Sequence, residues 1–252
     1  MNKIGLTSNK LKIIAIITMI IDHIGYYFYY LMSDSVYLAC RIVGRISMPI
    51  FVFLLVQGYC KTSNVKRYVF RIFKYAIITQ ALISCVYLLN YTFVHSYSVG
   101  VYAQLNILFS FCLSLALLYL IDKNNSILNS NILNSLIKIF VITIIILIYL
   151  TCNIDYKFII PIMAIALYIN EIYNSKEKRR YTYKVAIILI IFACGMLQND
   201  IGKLSILSAL FIPLYNGELG KKNIVLKRIF YIIFPLQHFI LYLISLLLLT
   251  NN

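Results

Sequence analysis

The sequence predicts an all-α protein: a polytopic bundle of eight or nine transmembrane helices with its N-terminus in the cytoplasm. Three observations predict it. Hydrophobic residues make up 62% of the 252 and charged residues 12%, against roughly 25% charged in soluble domains. The apolar runs, 139–150 and 240–249 among them, are continuous, whereas the strands of a transmembrane barrel alternate with period two. Lysine and arginine gather in the short stretches between the runs, as in the loops of an inner-membrane protein. Eight acidic residues and a mean hydropathy of +0.87 leave no way to solubilise such a chain in water.

Candidate spans fall at 11–31, 36–59, 68–90, 99–121, 135–152, 156–173, 182–198, 203–216 and 226–249, near the ~20 residues that a bilayer core requires. The fifth and sixth are parted only by the turn at 153–155. The eighth is short and reads as a crossing or as a re-entrant segment. With the N-terminus inside, Lys157 and Lys203 are the outer basic residues and Arg41 and Arg45 lie within the second span. The rest of the 23 basic residues fall on the cytoplasmic side, a bias that sets orientation. The C-terminus lies outside with nine spans and inside with eight. The first segment lacks a small-residue cleavage site and reads as a retained span. No internal repeat or linker divides the chain, so 1–252 is one domain.

The net charge of +15 is explained by this topology, and no soluble basic face for nucleic acid remains. The six cysteines are scattered singly without C-x-x-C spacing. They read as small hydrophobes, and no metal site is expected. His95, in an outer loop, reads as a solvated residue, and the basic stretch 176–180 as an anchor near anionic lipid.

Ionisable groups within a span cost at least about 2.5–3.5 kcal/mol each on insertion scales, which singles out Asp22 and His23 in the first span and Arg41 and Arg45 in the second. Asp22 and His23 are adjacent, so they point ~100° apart on a helix and cannot form a direct dyad. Arg41 and Arg45 share a face. Span two returns antiparallel to span one, so Asp22 is expected to be the counter-ion of the arginine pair, leaving His23 for chemistry. The bland alternative is a structural ion cluster that fixes helix register. Pro49 is expected to kink span two just past the arginines. Lys12 lies eleven residues before His23, on the same face and about 16 Å away along the axis. That suits a long anionic substrate entering from the cytoplasm, although a lysine there also reads as a snorkelling anchor. Ser47, Gln57, Gln80, Asn106 and Ser110 each read singly as interhelical hydrogen-bonding groups and together as a polar interior. His238, at mid-depth in the last span, is a packing residue or a second member of the site.

These residues carry a resemblance. The stretches 11–25 (LKIIAIITMIIDHIG) and 41–58 (RIVGRISMPIFVFLLVQG) resemble the first two motifs of the TraX family of integral membrane acetyltransferases, and Arg67-Tyr68, Arg71 and Thr79-Gln80 extend the likeness. It fades between about 85 and 210 and returns at 215–220 (YNGELG) and 230–235 (FYIIFP). The resemblance implies transfer of an acetyl group, in the family's named member to the N-terminus of a pilin. It also implies kinship with the wider membrane acyltransferase superfamily, which draws on cytoplasmic acyl-CoA and carries a basic residue eleven positions before a first-span histidine, as Lys12 and His23 stand here. Two departures stand out. Gln57 replaces a glutamate, and Pro235-Leu236-Gln237 replaces Pro-x-His, with His238 one place later and hence rotated by ~100°.

The expected function is therefore acetyl transfer from acetyl-CoA to an amine or hydroxyl of a peptide, glycan or lipid acceptor, in the cytoplasmic membrane of a bacterium. His23 would be the general base. Arg45, alone or with Arg41, would stabilise the oxyanion or orient Asp22. Lys12, Arg41, Arg67 and Arg71 would hold the donor's phosphates. Gln57, Gln80, Asn106 and His238 would line the interior. Membrane lipid is the other expected partner, and nucleic acid is not. A proton-coupled transporter of small solutes using the same charges is the rival expectation, and a non-catalytic assembly factor a third.

Overall fold

The computed structural model describes residues 5–94, 104–122, 131–177, 180–221 and 224–250, and His95 lies outside them. Helix α1 spans Ser8–Tyr27. Thr7 caps it, its hydroxyl accepting from the Lys10 N–H. Further N–H groups of the first turn, which no helix can satisfy internally, are met by the 215–220 motif. Ser8 N–H donates to Glu218 O at 2.9 Å and Asn9 N–H to Leu219 O at 3.2 Å, while Leu6 pairs with Tyr215 in a parallel bridge. Gly217 and Gly220 both have φ of +85°, a backbone region that other residues enter at a cost. A Cβ on Gly220 would also lie 2.7 Å from the Thr7 hydroxyl.

Helix α2 (Asp34–Gly44) returns antiparallel to α1, and α3 (Ser47–Lys61) continues in its direction. The break falls at Arg45–Ile46, whose N–H groups bond three residues back, to Ile42 O at 3.1 Å and Val43 O at 3.2 Å. The kink expected just past the arginines thus comes at them. A proline ring clashes with the carbonyl four residues earlier, here that of Arg45. Pro49 therefore sits in the first turn of α3, where its missing N–H is no loss. Every residue from Ser47 to Tyr59 except Leu54 and Gly58 is buried, so α3 is the central helix, as one that is apolar all round must be.

Helices α4 (Val65–Val94), α5 (Ile107–Ile121), α6 (Asn131–Thr151), α7 (Ile159–Glu177) and α8 (Arg180–Met196) follow. The predicted span 203–216 is not one α-helix. A single turn, α9 (Asp200–Lys203), leads into 3-10 helices at Leu204–Leu210 and Ile212–Leu214. A 3-10 helix rises about 2.0 Å per residue against about 1.5 Å for an α-helix. The stretched form carries so few residues along α8 and α3 back to Tyr215, beside Ser8 and Lys61. The last helix, α10, spans Ile224–Thr250.

Helix α1 packs on α2, α3 and α10, α10 on α4, α4 on α5, and α5 on α3 and α7. The contacts close a ring of α1, α3, α5, α4 and α10. Helix α6 stands at the periphery, with Ile132 78% and Phe140 66% exposed, surface that calls for an apolar surrounding. Strand β1 (Gln104–Leu105) pairs in parallel with β2 (Asn153–Ile154) at the end where α5 begins and α6 stops. Among the described residues, three helical stretches are long and apolar enough to cross a membrane: Asp34–Lys61 of 28 residues, Val65–Val86 of 22 and Ile132–Thr151 of 20. The apolar stretches Ile107–Ile121, Ile159–Tyr173, Thr182–Met196 and Ile232–Leu248 are shorter, and α1 carries Lys10, Lys12 and Asp22.

Small residues set the approach of α1 to α2. Gly25 lies against Cys40 and Gly44 against Asp22. A Cβ on Gly44 would stand 2.2 Å from the Asp22 carboxylate. Gly44→Ala is expected to force the helices apart and cost about 1–3 kcal/mol, read as a lower thermal midpoint of the detergent-purified protein.

Candidate functional site

The ends of α1 and α2 that pack together hold the in-span charges. Asp22 meets Arg41 Nη1 at 3.0 Å and Arg45 Nη2 at 3.1 Å, with side-chain exposures of 15%, 20% and 13% respectively. Arg45 Nη2 also reaches the second carboxylate oxygen at 3.3 Å, and its Nε donates to Arg41 O at 3.3 Å. The guanidinium of Arg41 further lies over the Tyr26 ring, 5.8 Å from its centroid. One carboxylate faces two guanidinium groups, so the cluster keeps a net positive charge that suits an anion or a developing oxyanion.

His23 projects from α1 in another direction. Its Nδ1 lies 2.8 Å from Met19 O. A carbonyl can only accept, so Nδ1 carries the proton, and in the neutral ring Nε2 is the atom with a lone pair. His238 from α10 stands edge-on to it, ring centroids 4.4 Å apart at 76°. Tyr27, one turn beyond His23, places its hydroxyl 3.1 Å from His238 Nδ1. The rotation that set His238 apart in the sequence therefore aims it at α1, since α10 packs there and carries the ring with it.

A polar group from α4 and α5 adjoins the cluster. Asn106 caps α5, accepting from Leu108 N–H at 3.1 Å, and donates through Nδ2 to Gln80 Oε1 and Ala76 O, each at 2.9 Å. Gln80 Nε2 donates to Gln104 O at 3.0 Å, and Gln104 Nε2 donates to Asp155 Oδ1. Asp155 begins a turn in which Tyr156 and Lys157 have φ of 59° and 40°, a left-handed region costing roughly 1–2 kcal/mol per non-glycine residue. The turn delivers the Tyr156 hydroxyl to Arg45 Nη1 at 3.2 Å.

The structure thus brings Asp22, His23, Arg41, Arg45 and His238 to one region and places Gln80 and Asn106 beside it. The other sequence-predicted residues lie elsewhere. Gln57 donates to Glu171 Oε2 at 2.8 Å and to Tyr183 OH at 3.4 Å, on the part of α3 nearer Lys61. Lys12 is half-buried on the first turns of α1. Arg67 is exposed at the start of α4, and Arg71 is half-buried with its guanidinium over the Tyr68 ring at 5.3 Å. Sequence reasoning missed Tyr27, Gln104, Asp155, Tyr156 and Glu171. Glu171 falls inside the predicted span 156–173, so the cost that selects Asp22 selects it too. No comparable signal marks Tyr156, one of 22 tyrosines.

Two predictions follow from the charges. Truncating Asp22 to alanine leaves two poorly hydrated guanidinium groups unpaired, at an expected cost of about 3–5 kcal/mol, seen as loss of the folded monodisperse peak on size exclusion. Asp155, in the turn outside the apolar helices, has its carboxyl pushed up from 3.8 to about 6 by burial, against the opposing pull of Gln104, the Ile107 N–H and Arg45. A raised carboxyl stabilises the fold in its protonated form. That contribution is complete below pH 3.8 and is lost as the pH climbs through about 6. Between those values the thermal midpoint of the wild type should fall more steeply with rising pH than that of Asp155→Asn.

A family model described as "TraX protein" matches residues 7–245. Among characterised proteins, the chain is similar to a probable fimbrial assembly protein FimC, serogroup H1, of Dichelobacter nodosus, 31% identical over 115 residues. That alignment covers 44% of this chain and 45% of the relative, so the chain spans under half the length of the protein it matches. No solved structure matches it.

Proposed function

Because the chain belongs to the TraX family, we propose that it is a membrane-embedded acetyltransferase that moves an acetyl group from acetyl-CoA to an amine of a protein acceptor. The single observation that carries this reading is the state of His23, an imidazole with Nδ1 tied to Met19 O and Nε2 left as an acceptor, beside a positively charged cluster. A general base needs that lone pair, and a tetrahedral oxyanion needs that charge.

In the proposed step the acceptor nitrogen attacks the thioester carbonyl carbon while His23 Nε2 takes a proton from it. The C–N bond forms, the C–S bond breaks, and the CoA thiolate leaves and recovers the proton. His238 packs edge-on against the His23 ring and is itself tied to the Tyr27 hydroxyl. Lys12, Arg67 and Arg71 lie toward the opposite end of the bundle, where the phosphates of a long donor would rest if its acyl end reached His23. The reading sets the N-terminus in the cytoplasm of a bacterium and counts nine crossings, the eighth made by the 3-10 segments at 204–214. A relative named for fimbrial assembly supports a surface-filament subunit as the acceptor.

Purified wild-type protein should release CoA slowly from acetyl-CoA. His23→Ala should still bind acetyl-CoA but lose turnover by about 10²–10⁴-fold, the usual share of a general base. Full activity in the variant removes His23 from the mechanism. In cells, deleting the gene should remove an acetyl mass from the N-terminus of a surface-filament subunit, and an unchanged mass spectrum overturns the acceptor.

A further inference from the structure

We infer that Tyr156 is a catalytic residue of the proposed transfer: its phenolic hydrogen is the donor that meets the acyl oxygen, with Arg45 acting through it. The inference rests on the acetyltransferase reading. Three observations on the turn at 153–158 carry it.

The first is the hydrogen-bond inventory of Arg45. Nε is committed to Arg41 O, Nη2 to both oxygens of Asp22, and Nη1 to the Tyr156 hydroxyl. A guanidinium only donates, so the phenolic oxygen of Tyr156 is the acceptor in the last of these. Its own hydrogen is not used there, and among the described residues Arg45 is the hydroxyl's hydrogen-bond partner. A hydroxyl that accepts from a cation has its O–H bond polarised and donates more strongly. Arg45 is held largely by groups of the protein, and the tyrosine hydrogen joins the guanidinium hydrogens that Arg41 and Arg45 do not spend there as a donor for an incoming oxygen.

The second is the backbone. Tyr156 and Lys157 are consecutive non-glycine residues with positive φ, 59° and 40°. Such strain persists only where the surroundings impose it, and it concentrates at functional sites. Here the surroundings are visible. Strand β2 is pinned to β1 by the Gln104–Asn153 and Leu105–Ile154 pairs, Asp155 N–H donates to Leu105 O at 3.1 Å, and Lys157 N–H donates to Ile154 O at 3.1 Å. The Asp155 carboxylate is fixed from the other side by Gln104, itself tied to Gln80. The polar residues of α4 and α5 thus hold the turn, and the turn holds Tyr156 against Arg45.

The third is the protonation state. A phenol in water gives up its hydrogen only at about pH 10, so Tyr156 keeps it at physiological pH and serves as a hydrogen-bond donor without ionising. In the step already written, Tyr156 transfers no proton. It donates a hydrogen bond to the oxygen as the carbonyl becomes tetrahedral, and the same bond weakens when the C–S bond breaks.

The experiment compares wild type with Tyr156→Phe in detergent, reading CoA release from acetyl-CoA, affinity for CoA (which lacks the acyl oxygen) and thermal midpoint. The expected result is a fall in kcat of about 10²–10³-fold, the loss seen when one oxyanion donor is removed, with CoA affinity and midpoint unchanged. Three results overturn the inference. Turnover by Tyr156→Phe at the wild-type rate removes Tyr156 alone and leaves the acetyltransferase reading intact. A fall in CoA affinity or midpoint that accounts for the lost rate makes Tyr156 a structural residue. Absence of CoA release from the wild type itself overturns the parent reading, and the tyrosine's role with it.

Discussion

Removing Asp22, Arg41 and Arg45 from water costs several kcal/mol per ion, and only close mutual pairing offsets it. That constraint shapes the surrounding structure. It requires α1 and α2 to approach until the carboxylate lies against Gly44, where no side chain larger than hydrogen fits. It sets the helix break at Arg45, because a guanidinium must turn from its own helix toward Asp22 while Pro49 forbids a regular turn around it. Both arginines spend donors on backbone carbonyls as well, Arg41 on Asp22 O and Arg45 on Arg41 O. Main chain and side chain are therefore fixed by the same atoms.

Around the ion cluster, polar residues from several parts of the fold converge at one region of an otherwise apolar bundle. Each is a poor choice for a helix interior and each is satisfied by another: Gln80 by Asn106 and Gln104, Gln104 by Asp155, Tyr156 by Arg45, His238 by Tyr27. The network explains the short parallel strands between β1 and β2. Non-helical backbone in an apolar setting persists where its N–H and C=O groups are paired within the protein, and the β1–β2 pairing together with Gln80 supplies those partners. A second polar group, Gln57 with Glu171 and Tyr183, lies nearer the Lys61 end of α3. There a glutamine on one helix is matched by a carboxylate on another.

The N-terminal anchor follows the same logic of unmet backbone groups. The first turn of α1 borrows carbonyls from residues 218 and 219, and Lys61 ties the far side of the same loop, donating to Tyr215 OH at 2.6 Å and Gly217 O at 3.0 Å. The positions of Tyr215, Gly217 and Gly220 are thus set by what two helix ends lack. The motif closes the bundle at the end opposite the ion cluster, so α1 is held at both of its termini.

Much of this was legible in the sequence, and the reason is energetic. Composition and continuous apolar runs settle a helical membrane protein, because no other solvent accepts such a surface and no open sheet satisfies its backbone there. The cost of buried charge marks Asp22, His23, Arg41 and Arg45, and helical geometry alone pairs the arginines with the aspartate and turns the histidine away. What only the tertiary structure decided are contacts between residues far apart in the chain whose types are individually ordinary. The meeting of His238 with His23 depends on the rotation of α10 about its axis. The service of Tyr156 to Arg45 depends on a turn fixed by a strand pair 49 residues apart in the chain, Gln104 with Asn153. The return of so short a stretch as 204–214 along α8 and α3 to Tyr215 depends on its extension into 3-10 form. Periodicity and insertion cost act along the chain, so a sequence displays them, whereas helix rotation and turn conformation are chosen by packing, so a sequence does not.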